Sequence, residues 1–204
     1  LKIPNHTIPN LPAGRQVPMI IVQVWDYKFN KMNNRLLALI CSYLLLPFWG
    51  LAQETIPAKN KAILDSIVKH GPTISPTYEK AVCTEMVIQL LEKFQPLTKT
   101  DKTRIRIITK EDIYTLLKRN SPIPKGVYYA LTTKGIGQSI DELKNVLPGD
   151  FVQFWTGTWG HCGIVKEIHP ETKKMVLYSS FPSTNGFGIQ TFTIPDYSYF
   201  VRLK

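Results

Sequence analysis

The hydrophobic pattern changes period part-way along this chain, and that change constrains the fold more than any other feature. Within 80–94, Cys83, Met86, Val87, Leu90, Leu91 and Phe94 fall at i, i+3, i+4, i+7, i+8 and i+11. That spacing is a continuous apolar stripe along one side of an α-helix. Further helices are predicted at 58–69, 110–118 and 139–146, with His70-Gly71-Pro72 stopping the first. Beyond Pro148-Gly149-Asp150 the chain reads as strands: FVQFW at 151–155, HCGIVKEI at 161–168, MVLYSS at 175–180, GIQTFTI at 188–194 and YSYFVRL at 197–203. Helices followed by a meander of strands predict an α+β domain, with N-terminal helices packed on a C-terminal antiparallel sheet.

The region before this domain has a different character. From Met32 the chain reads MNNRLLALICSYLLLPFWGLAQE. Arg35 gives a positive start, 36–46 is apolar apart from Ser42 and Tyr43, and Gly50 and Ala52 are small residues before a cleavage point. This is the layout of a secretory signal peptide spanning 32–52. A membrane anchor needs about 20 apolar residues, and Pro47 interrupts this run. Ile40 is too bulky for lipid attachment at Cys41. The expectation is an exported protein, periplasmic or secreted, with no stable membrane insertion after cleavage. Residues 1–31 are read as a non-native N-terminal extension and 53–204 as the working domain, expected to act as a monomer.

Five basic residues and one acidic one precede Gln53, so 53–204 carries 20 Lys and Arg against 14 Asp and Glu. The excess is dispersed. It suits an anionic partner such as cell wall, or is simply a solvated surface. An exported chain without a basic cluster is not a nucleic-acid binder. No Cys-x-x-Cys or His-Glu-x-x-His occurs, so neither a metal nor a cofactor is expected. The domain keeps two cysteines, Cys83 and Cys162, and an oxidising compartment permits a bridge between them.

Cys83 begins the amphipathic helix, where the dipole and free N–H groups favour a thiolate and offer an oxyanion site. Periodicity alone reads the same residue as buried core. His161 opens a strand after the aromatic turn WTGTWG, on the same face as Gly163, where it is placed to exchange a proton with a thiol. A third group is expected to orient the imidazole. Period two puts Val176, Tyr178 and Ser180 on one face of the next strand, so Tyr178, Ser180 and Asn185 are the candidates. Ser180 is taken as the third catalytic residue beside Cys83 and His161. Alternation sends Cys162 to the face opposite His161, which argues against a Cys83–Cys162 bridge if His161 faces the cysteine helix. Trp155 and Trp159 flank the histidine, either lining a substrate groove or packing the hairpin.

The order AVCTEMV around Cys83, LPGDFVQFW at 147–155 and HCGIV at 161–165 resembles the NlpC-type papain-like cysteine peptidases and amidases of the cell wall. The resemblance covers most of 75–180. The family's Asp-Cys-Ser-Gly is replaced here by Val-Cys-Thr-Glu, and its third residue maps near 178–180. What the resemblance implies is a papain-like core and cleavage of an amide bond in peptidoglycan stem peptides. The alternative is a non-catalytic cell-envelope binding domain on the same fold, held by a Cys83–Cys162 disulfide.

Overall fold

The computed structural model describes residues 55–157 and 159–204. The signal peptide and extension read from 1–52 lie outside them. Five helices come first: α1 (Ala58–Ile74), α2 (Cys83–Leu91), α3 (Lys99–Arg106), α4 (Ile113–Lys118) and α5 (Gly126–Thr133). Six strands follow: β1 (Gly137–Ile140), β2 (Phe151–Thr156), β3 (Trp159–His169), β4 (Lys174–Phe181), β5 (Gly186–Thr193) and β6 (Tyr197–Leu203). All neighbours in the single sheet are antiparallel, in the order β1-β6-β2-β3-β4-β5. The α+β arrangement of helices followed by an antiparallel sheet is as the hydrophobic periods require. No helix among the described residues is long and apolar enough to cross a membrane.

Three local expectations need correcting. First, α1 runs through His70-Gly71-Pro72 to Ile74. Pro72 has no N–H to offer the carbonyl of Val68, a residue on the exposed side of α1 where that carbonyl can be solvated. Gly71 is a packing residue rather than a stop, since a Cβ there would lie 2.5 Å from the Phe187 ring. Second, 139–146 is not a helix. Residues 137–140 pair with β6, Gly137 opposite Leu203, and only Leu143–Asn145 forms a 3-10 turn. Third, α3 and α5 are additional helices. The start of α3 was readable, because Thr98 and Asp101 cap each other's backbone, with Thr98 N–H to Asp101 Oδ2 at 2.9 Å and Asp101 N–H to Thr98 Oγ1 at 3.2 Å.

The Pro-Gly-Asp turn fastens the helices to the sheet. The Asp150 carboxylate is fully buried and accepts from Asn60 Nδ2 (2.8 Å), the Leu147 N–H (2.7 Å) and both Nε and Nη2 of Arg202 (2.8 Å each). One side chain thereby joins α1, the turn and β6, with the carboxylate's charge matched by a bidentate guanidinium. Gly149 has φ +90°, and a Cβ there would sit 2.6 Å from the Asn60 carbonyl, so glycine is required twice over.

The sheet separates two apolar clusters. Toward the helices, Met86, Val87, Leu90 and Leu91 of α2 pack with Ile63 and Ile67 of α1 and with Phe151, Cys162 and Ile164 of the sheet. On the other face, Val152, Phe154, Val165, Leu177, Phe181 and Phe200 form the second cluster. Strand alternation therefore assigns Cys162 to the helical side of β3 and His161, which pairs with Phe154, to the other.

Candidate active site around Cys83

Cys83 is the first residue of α2. Its place on the apolar stripe presses the side chain against β3, while its place at the terminus exposes it to the helix dipole. The first helical bond, from the Met86 N–H to the Val82 carbonyl at 3.0 Å, leaves the N–H groups of Cys83, Thr84 and Glu85 outside the ladder. Val82 supplies no side-chain cap to take them. Cys83 is 9% exposed. It lines a cavity of about 290 Å³ together with Thr84, Arg106, Gln153, Trp155 and His161.

The thiol of Cys83 is pulled far below the ordinary thiol range, to about 4. The largest cause is hydrogen bonding from the Cys162 side chain. Burial opposes it, and His161 adds hydrogen bonding and charge, followed by the Cys162 backbone. Cys162 moves the other way, pushed well up by its hydrogen bond to Cys83, then by burial, then by the charge on Cys83. The two thiols are thus pushed in opposite directions, Cys83 toward ionisation and Cys162 toward the protonated form. Both sulfurs are free. The Tyr78 phenol is raised by burial first and then electrostatically by Cys83 and Cys162, which places it near them.

His161 reaches this site by an unexpected route. Its ring is 2% exposed and lies in the aromatic cluster on the far face of the sheet. It stacks on Trp159 (centroids 5.2 Å apart, planes at 9°) and on Phe181 (4.9 Å, 21°), with Phe154 edge-on at 5.8 Å. The β3–β4 register extends only to Ile164–Tyr178. Past that pair the Ser179 hydroxyl takes the Cys162 carbonyl at 2.7 Å, and at this end of the sheet Cys83 and His161 line one cavity. The expectation that His161 rather than Cys162 faces the cysteine helix is reversed: Cys162 packs on the helical side with Phe151 and Ile164. Gly163 does not open room above the sheet, since a Cβ there would lie 2.8 Å from the Tyr178 carbonyl.

Ser180 is not brought to the imidazole. It is fully buried, and its Oγ lies 2.8 Å from Ser75 Oγ, which donates to the Ala81 carbonyl at 2.7 Å. That chain fixes the segment leading into α2. Asn185 Oδ1 receives the Tyr78 N–H at 3.4 Å instead of a ring N–H. Tyr178 lies on the helical side, stacked on Phe187. The buried Nε2 of His161 has no hydrogen-bond partner among the described residues. The ring is oriented by stacking between Trp159 and Phe181.

Sequence reasoning assigned no role to Gln153, Arg106 or Tyr78. Gln153 lies opposite Cys162 in register, is 2% exposed, and has Oε1 without a partner. Its position between two aromatic residues of FVQFW, a buried amide in an apolar strand, was the available signal. Arg106, which also lines the cavity, grips Glu85 of α2 through Nε and Nη2, with Nη2 to Oε2 at 2.9 Å. The two tryptophans take separate places. Trp155 lines the cavity and donates Nε1–H to the Pro124 carbonyl at 2.8 Å, whereas Trp159 covers His161 on the far face.

No group of three or more His, Cys, Asp or Glu among the described residues is placed to hold a metal ion. The chemistry legible here is that of a thiol favoured to ionise at a helix N-terminus, in a cavity it shares with an imidazole residue. Neither a protein-family model nor a characterised relative matches this chain.

Proposed function

We propose that this domain is a cysteine hydrolase that cleaves an amide bond, with Cys83 as nucleophile and His161 as its proton-transfer partner. The observation that carries the reading is that the Cys83 sulfur, at the N-terminus of α2, and His161 line the same cavity. In this reading the thiolate attacks the substrate carbonyl and the tetrahedral oxyanion sits against the first-turn N–H groups of α2. Protonated His161 gives its proton to the leaving amine. It then takes one from the water that releases the acyl group. The aromatic stack holds the ring in place of a third polar residue.

The substrate reading is a peptidoglycan stem peptide and the setting is outside the cytoplasm, on a papain-like core of the NlpC type. Support comes from the motif order around Cys83, 147–155 and 161–165, the signal-like segment at 32–52 and the mild basic excess of 53–204. Digestion of purified peptidoglycan by the wild type and by Cys83→Ala, with products identified by mass, tests it. New amino and carboxyl termini made by the wild type alone are the expected result. Equal product from Cys83→Ala overturns the assignment of the nucleophile, and no product from the wild type overturns the substrate.

A further inference from the structure

The hydrolase reading leaves Cys162 without a chemical step of its own, although it is the other thiol among the described residues. Cys162 belongs to the same packed cluster as Cys83, on the face of β3 that receives α2. It is 1% exposed, whereas Cys83 opens onto the cavity. A small reagent entering there meets Cys83, while Cys162 stays within the packed cluster. Cys41, the third cysteine of the chain, lies outside the described residues.

We propose that Cys162 is a resolving thiol: a hydroperoxide entering the cavity oxidises Cys83, and Cys162 captures the product as a reversible Cys83–Cys162 disulfide. The thiolate of Cys83 attacks the O–O bond of hydrogen peroxide, forming the sulfenic acid and releasing hydroxide. That hydroxide takes the Cys162 proton. The Cys162 sulfur then attacks the Cys83 sulfur, the S–O bond breaks, and hydroxide leaves. The two sulfurs together lose two electrons, which reduce the peroxide to water and hydroxide. A thiol reductant restores both cysteines by exchange.

The placement suits each step. Cys83 lines the cavity and its thiol is the one favoured to ionise, so it reacts first. Cys162 stays protonated until the first step supplies a base. Cys162 faces α2 in the same packed cluster as Cys83, so capture needs little backbone movement. The disulfide removes the nucleophile and spares it irreversible oxidation to sulfinic acid. The inference rests on the packing of the two thiols and stands whether or not the site hydrolyses amides.

The test treats the full-length protein and its Cys162→Ser variant with graded hydrogen peroxide, blocks free thiols and maps tryptic peptides. Cys83 falls in 81–93 and Cys162 in 145–166. In the wild type the two peptides are expected to be joined, with loss of two hydrogens and release by dithiothreitol. In Cys162→Ser the joined product is lost, and Cys83 gains two oxygens as sulfinic acid. Equal sulfinic acid in both proteins overturns the proposal, as does a wild-type disulfide between Cys83 and Cys41. The wild-type arm decides alone if the variant fails to fold: sulfinic acid on Cys83 without joined peptides refutes the resolving role. None of these readouts depends on peptidoglycan cleavage.

Discussion

Replacing Cys162 by Ala removes the largest influence on the nucleophile while leaving the backbone N–H, His161 and the start of α2 in place. A hydrogen bond to a charged group contributes about 1.5–3 kcal/mol. Each pKa unit corresponds to about 1.4 kcal/mol, so losing that bond raises the Cys83 pKa by about 1 to 2 units. At 9% exposure, water replaces the lost donor only in part. The midpoint therefore moves up from about 4 by about that amount. Alkylation of the 81–93 peptide by iodoacetamide, quantified by mass between pH 3.5 and 8, reads this directly. At pH 5 the wild type should react at close to its plateau rate and the variant about fourfold below its own. The linkage has a definite sign. The folded pKa lies below the unfolded one, so the thiolate's contribution to stability is complete above about 9 and is lost as pH falls toward about 4. Identical midpoints in the two proteins would remove Cys162 from the site. A wild-type midpoint near that of an ordinary thiol would refute the packing of Cys83 against β3.

His161→Phe keeps the aromatic stack and deletes a buried nitrogen without a partner, whose desolvation costs about 1–3 kcal/mol. Thermal unfolding should give a Tm equal to or above the wild type, while amide cleavage is lost; a large drop in Tm would contradict the stacked position. Ser180→Ala should lower stability by about 1 kcal/mol in urea titration through loss of the Ser75 bond. Its kcat/KM should stay within about twofold, and a thousandfold loss would restore Ser180 to the catalytic group.

The two halves of the domain were legible in the hydrophobic periods because period 3.6 and period 2 each permit one kind of element. Five of the six strands follow from that argument. β1 does not, because four residues with only their end positions buried carry too little pattern, and their strand character comes from pairing with β6. The helical extension past Pro72 was hidden for a similar reason. Whether a proline ends a helix depends on whether the orphaned carbonyl faces water, and Gly71 is held by Phe187 from more than a hundred residues away. Asp150 was read as part of a turn. Its burial under Asn60 and Arg202 joins residues 60, 150 and 202, which no local pattern relates.

The sequence by itself determined that Cys83 begins a helix with its sulfur on the buried stripe, and that His161 and Cys162 point to opposite faces of one strand. Both follow from the fixed rotation per residue of the two backbone forms. Only the tertiary structure decided which of the two faces meets the helix. A strand's alternation is unchanged when the whole strand is turned over, and the choice belongs to the packing of Phe151, Cys162 and Ile164 against α1 and α2. That packing put a second thiol behind the nucleophile and sent the histidine into an aromatic stack.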